Sequence, residues 1–242
     1  MRPPPLYRGE NRETREFEGL SEEIPVRVIN LSHPIEPNAS ATPPSAAVEI
    51  SALGAEEAET SAAIKSARLF IGIQTETHIE APFHFFEGKL TIDKVPLERC
   101  LGMATIVHLP HHGAFSEITA EDVAPYADSI WRTKRVLFYT DWYKRWKTEG
   151  YFTDHPTLTE ACAAFLLRCG VVLAGVDFPS VDRYPFPVHI ALLGHDVLII
   201  ENLANYDFLS SDTVELVAIP LEMVGQSGSP VRALAIEKDE TD

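Results

Sequence analysis

Apolar and polar residues alternate at strand period in many short blocks of the chain and at helical period in only a few. IPVRVINLSH, beginning at Ile24, alternates as a half-buried strand does, and AAVEIS repeats the signal. RLFIGIQT, ATIVHL and RVLFYTDW are β-rich runs, and VVLAGVDFPS, DVLIIENL, VELVAIPLEM and VRALAIE add further apolar strands. Helical spacing is clearest in LTEACAAFLLRCG, where Cys162, Phe165, Leu166 and Cys169 share a face, Thr159 stands at the N-cap and Gly170 at the end. ITAEDVAPYA carries Thr119 with Asp122 three residues on, a helix-start pattern, and HIALLG reads as a short helix. AEEAETSAAIKSA has helix formers but a weak apolar face, which leaves helix and loop both open. The pattern predicts one mixed α/β domain with more strands than helices and no internal repeat. The stretch through Glu23, with three consecutive prolines and many charges, predicts an N-terminal arm over residues 1–23 ahead of a domain at 24–242.

A hydrophobic content of 45% in 242 residues supports a sizeable core. Lys and Arg total 20 against 36 Asp and Glu, and the formal charge of -16 repels phosphate backbones, so nucleic-acid binding is not expected. No run reaches the roughly 18 apolar residues of a membrane span, and the first residues lack the apolar stretch of a secretory signal, so a cytoplasmic protein is expected. The cysteines, Cys100, Cys162 and Cys169, are odd in number and lack CxxC spacing, and they read as small buried hydrophobes.

The candidate chemistry lies in THIEAPFH, where His78, Glu80 and His84 fall within seven residues. RLFIGIQT leads into this stretch, so its histidines are expected at or just beyond a strand end. In an extended backbone, residues two apart point the same way and can face one cavity. Far downstream, His189 opens an apolar helical stretch and Glu201 closes the strand VLIIE. An ionised Glu after such a run is costly to bury without a cationic partner, which a metal would supply. Histidine nitrogens with carboxylate oxygens suit Zn²⁺ or Mn²⁺. Spacing alone leaves a second reading open, in which the histidines are only hydrogen-bonded and Glu201 is solvated at an edge. His108, His111 and His112, around the turn in LPHHG, read as surface residues, His155 as part of a loop or helix entry, and His195 as a turn residue.

The collinear segments LSHPI, THIEAPFHF with TIDKVPL, TDW, GVDFPSVD, HIALLG, IIENL and AIPLEMVGQSGSPVRALA resemble the cyclase family of metal-dependent hydrolases, which includes bacterial kynurenine formamidases. The resemblance runs from Ile24 to Ala235. It implies a swivelling β/β/α domain in homodimers or homotetramers. It further implies hydrolysis of a small amide of the N-formylkynurenine, aryl formamide, type with one or two divalent ions, zinc or manganese. Against the family signature HxGTHxDxPxH this chain reads QTETHIEAPFH. His78, Glu80, His189 and Glu201 fall on metal-ligand positions, with Glu80 in place of an aspartate, and His84 falls on the catalytic base. Gln74 stands at the first histidine and Glu76 at the glycine. An amide oxygen is the weaker ligand, whereas the Glu76 carboxylate either crowds the metal or turns inward to replace the missing imidazole. A degenerate, non-catalytic descendant, or a hydrolase of another cyclic amide or lactone, are the alternatives. Thr77 and Asp177 are candidates to orient the imidazoles. Phe83, Phe85, Phe86 and Trp142 each have a core reading and an aryl-stacking one.

Overall fold

The computed structural model describes residues 26–37, 48–53 and 66–238. The arm expected at 1–23 and the AEEAETSAAIKSA segment up to residue 65 lie outside the described residues. In chain order the elements are β1 (Val26–Asn30), β2 (Glu49–Leu53), β3 (Ser66–Phe70), β4 (His78–Glu80), β5 (Leu101–His108), β6 (Glu117–Ile118), α1 (Ala120–Val123), α2 (Ala127–Thr133), β7 (Arg135–Tyr139), β8 (Thr157–Leu158), α3 (Glu160–Arg168), β9 (Leu173–Val176), α4 (Pro187–Gly194), β10 (Leu198–Glu201), β11 (Thr213–Val217), β12 (Gly228–Pro230) and β13 (Leu234–Lys238).

Nine strands form one mixed sheet in the order β1-β13-β11-β5-β7-β9-β10-β4-β12. The central run β5-β7-β9-β10 is parallel and the flanking pairs are antiparallel. The parallel strands are covered on both faces, as their apolar content requires. Val107, Val136, Phe138, Ala174 and Ile199 pack against Ile130, Leu166 and Leu192 of the helices. The alternate residues Ile106, Leu137, Leu173 and Ile200 pack on the opposite face with Leu216, Ala235 and Ile29. The mixed α/β architecture expected from the strand-rich pattern is therefore present.

Local signals behave as their chemistry dictates. Thr119 and Asp122 form a reciprocal capping box on α1. Thr159 Oγ1 accepts from Cys162 N at 3.1 Å, and α3 buries Cys162, Ala163 and Leu166 before Gly170 takes a left-handed φ of +73°. All three cysteines are free and buried. Two expectations change. The RLFIGIQT strand stops at Phe70 and pairs with β2 in a separate hairpin. The chain then bends through residues 71–77 before β4, so the motif histidine lies within its own strand and not at the end of that one. VELVAIPLEM leaves the sheet after Val217, ahead of Pro220, which cannot donate to a ladder. No described helix is long and apolar enough to cross a membrane.

β12 backs β4 with Gly228 opposite Glu80. A Cβ on Gly228 would stand 2.8 Å from the Ile79 carbonyl oxygen, and that backbone cannot yield without moving β4. Gly228→Ala is expected to lower stability by about 1–3 kcal/mol, read as a reduced Tm in a thermal melt.

Candidate metal-dependent active site

The register of the sheet assembles the first half of the site. β4 lies antiparallel to β10, with His78 directly opposite Glu201 and Ile79 opposite Ile200. Ile79 and Ile200 face the apolar layer, so His78, Glu80 and Glu201 face the other way, into a cleft of roughly 480 Å³. His84 arrives differently from the extended path expected. Pro82–His84 is a single 3-10 turn that carries the imidazole to the mouth of the cleft, where its side chain is 28% exposed. His189 projects from the first half of α4.

The four buried groups converge. His78 Nε2 is 3.4 Å from Glu201 Oε2 and 3.8 Å from Glu80 Oε1. His189 Nε2 is 3.3 Å from both Glu80 Oε2 and Glu201 Oε1. His84 Nε2 lies 3.4 Å from Glu80 Oε1. Gln74, at the first histidine position of the family pattern, is in the site: its amide donates to Glu80 Oε1 at 2.8 Å and sits 2.9 Å from His84 Nε2.

The groups that orient the imidazoles are not those expected. His78 Nδ1 donates to the Glu76 carbonyl at 2.9 Å, and Asn202 Nδ2 holds the same oxygen at 3.0 Å. His189 Nδ1 pairs with Asp182 Oδ1 at 2.5 Å. The other oxygen of Asp182 accepts from the backbone N–H groups of Val188 and His189, so one carboxylate both caps α4 and fixes the ring. Thr77 instead bonds the Asn202 carbonyl and the His33 N–H, and Asp177 binds the hydroxyl and N–H of Thr140. Neither touches an imidazole in these bonds, which corrects the sequence reading.

These bonds decide whether the residues fit a cation. With Nδ1 of each ring committed as a donor, Nε2 of each faces carboxylate oxygens, where the ring must either carry a second proton or turn a lone pair to a cation held between them. Burial alone would lower the His78 pKa, yet its bonds to Glu201 and Glu80 prevail and push it up to about 10. His189 is raised well above its ordinary value, with burial opposing and Asp182, Glu201 and Glu80 prevailing. Burial, and for Glu201 the neighbouring Glu80 charge, works to raise the two carboxyls, but the histidines hold both below the usual carboxylate range. Glu80 Oε2 has no hydrogen-bond partner among the described residues, and no Lys or Arg lines the cleft. The cluster demands positive charge, and ligand atoms of His78, Glu80 and Glu201 lie within 4.8 Å of one another, a donor set that fits a divalent ion, with His189 Nε2 against both carboxylates.

The walls settle several double readings. Phe85 lines the cleft and stacks on His189 with centroids 5.1 Å apart, joined by Trp146, Phe152 and Phe186. Phe83 and Phe86 are not among the lining residues, and Trp142 is buried with Nε1 bonded to the Tyr151 carbonyl. His155, read as part of a loop or helix entry, does lie in a loop, and it is buried in the cleft wall, stacked on Phe178. His112, read as exposed, is buried, whereas His111 and His195 are exposed.

Glu76 is the strained member. It lies in the left-handed region at φ +56°, is 4% exposed, and neither carboxylate oxygen has a hydrogen-bond partner among the described residues. Burial raises its carboxyl to about 7, against the opposing pull of Lys147. A carboxyl raised in the folded state supports stability fully below its unfolded value of 4.5, and that support is lost as pH rises through about 7. Glu76→Gly removes this loss and the left-handed cost of about 1–2 kcal/mol, less some glycine chain entropy. The variant is expected to melt higher than the parent, by a margin that is wider at pH 8 than at pH 5. Asp182→Asn is expected to weaken divalent-ion affinity about 10–100-fold, measured by calorimetric titration.

Residues 29–183 match the profile of the Cyclase family. The chain is 34% identical over 180 residues to a kynurenine formamidase of Geobacillus thermodenitrificans, covering 72% of this chain and 80% of that one. It is 32% identical over 180 residues to a kynurenine formamidase of Bacillus cereus, covering 73% and 82%. Among solved structures, isatin hydrolase A from Labrenzia aggregata bound to benzyl benzoate aligns with a TM-score of 0.76 at 26% identity, covering 88% of this chain and 94% of that one. Sequence profile, relatives and fold agree: the chain belongs to the cyclase family.

Proposed function

We propose that the protein is a metal-dependent amidohydrolase that cuts the C–N bond of a small aryl formamide of the N-formylkynurenine type. The observation that carries this reading is the convergence of His78, Glu80, His189 and Glu201, each 4% exposed or less, beside the more accessible His84 and under an aromatic wall. The kynurenine formamidases among its relatives support the substrate class. The lactam-type reading has support of its own in the fold shared with isatin hydrolase A.

His78, Glu80, His189 and Glu201 would hold zinc or manganese. The ion, when bound, supplies polarisation of the scissile carbonyl and activation of water. Asp182 and the Glu76 carbonyl keep both ligand rings in the tautomer that presents Nε2. His84 stands close enough to Glu80 to take the proton of the attacking water and pass it to the departing nitrogen, a task suited to an imidazole. Gln74 bridges Glu80 and His84 with its amide and so replaces an imidazole with a positioning contact. Phe85, Trp146, Phe152 and Phe186 form an apolar slot for an aryl ring. The reading includes a homo-oligomer, dimer or tetramer, for which the exposed apolar Ile50, Leu69 and Phe70 of the β2–β3 hairpin are support.

Steady-state hydrolysis of N-formylkynurenine and of a cyclic aryl lactam, with and without added Zn²⁺ or Mn²⁺, tests the assignment. Metal-dependent turnover of the formamide is expected, and turnover of neither substrate under any condition overturns it. His84→Ala is expected to lower kcat about 10²–10⁴-fold while leaving the bound metal content unchanged.

A further inference from the structure

We infer that His111, His112 and Asp122 form a second binding site, separate from the catalytic cleft, for a first-row divalent ion of the zinc class. One ligand atom from each lies within 4.8 Å of the others, and none of the three residues lines the cleft. The local sequence builds this arrangement. Pro110 begins a turn closed by the His112 N–H on the Leu109 carbonyl at 3.0 Å, and the turn brings the two imidazoles together with centroids 4.4 Å apart. Asp122 comes from the first turn of α1. Its Oδ2 is engaged by the N–H and hydroxyl of Thr119, both at 2.7 Å, while Oδ1 faces His112 Nε2 at 3.4 Å.

A second observation points independently to a ligand. His112 is only 8% exposed, and both of its ring nitrogens are buried without a hydrogen-bond partner among the described residues. Apart from the 3.4 Å approach of Nε2 to Asp122, this buried imidazole is unsatisfied, with nothing on Nδ1, and an ion or an ordered water is the ordinary remedy. Two imidazoles and one carboxylate make a borderline donor set that favours zinc-class ions over calcium or magnesium. His111 is exposed, which gives the ion a route in and leaves room for water to complete its coordination. Occupancy would tie the loop after β5 to the start of α1, which makes the site a structural clamp.

The test uses the full-length protein stripped by chelator and dialysed against Zn²⁺, with bound zinc counted by elemental analysis and Tm measured with and without zinc. His111→Ala and His112→Ala are each expected to bind one equivalent less than the parent. Each is also expected to lose part of the zinc-induced rise in Tm while keeping metal-activated hydrolysis. Because His111 is exposed, His111→Ala tests the site even if His112→Ala fails to fold. Equal zinc stoichiometry and an equal zinc-induced Tm shift in the parent and His111→Ala would overturn the inference. The cleft assignment would be unaffected, because its ligands are untouched.

Discussion

The site is governed by one electrostatic constraint: two carboxylates and two imidazoles are buried together with no lysine or arginine among the residues lining the cleft to neutralise them. Burial of an unpaired carboxylate is expensive, and here Glu80 and Glu201 share the cost with His78 and His189 at 3.3–3.8 Å. The sheet register that sets His78 opposite Glu201 makes the juxtaposition unavoidable once β4 pairs with β10. Protons recruited by the histidines can satisfy the charge in the metal-free protein. A divalent ion would satisfy it with the ring tautomers already set, which connects the stability of the folded site to the chemistry proposed for it.

Much of this was legible in the residues themselves. The strands of the parallel run carry continuous apolar sequence because they are covered on both faces, and α3 announces itself through Thr159, its apolar face and Gly170. The same-side spacing of His78 and Glu80 holds because β4 is extended. What sequence could not reveal is the support beneath the ligands. One imidazole is fixed by a main-chain carbonyl, which leaves no mark in a side-chain pattern. The other is fixed by Asp182, seven residues away across a loop, whose dual role as helix cap and ring partner exists only after the chain folds. His155 lies in a loop, as its proline neighbour suggests, but its place in the cleft wall is set by contacts with Phe178, distant in sequence, and so left no mark in the local pattern.

Gln74 and Glu76, read from the sequence as departures from the signature along with Glu80, both lie at the site. Gln74 stands within the site, where its amide reaches Glu80 and His84. Glu76 keeps a backbone conformation that suits glycine, and its carbonyl carries the contact to His78 while its buried carboxylate has no hydrogen-bond partner among the described residues. The backbone geometry of this loop thus does the orienting, and the strain of a side chain at φ +56° is tolerated because Asn202 and His78 both bind the Glu76 carbonyl.

The central claim, that a single cation belongs among these four side chains, is tested most directly by anomalous diffraction. Data would be collected at the zinc or manganese edge from crystals of metal-loaded protein. The account requires an anomalous peak bounded by His78, Glu80, His189 and Glu201. Metal-loaded crystals with no peak among those four residues would contradict it.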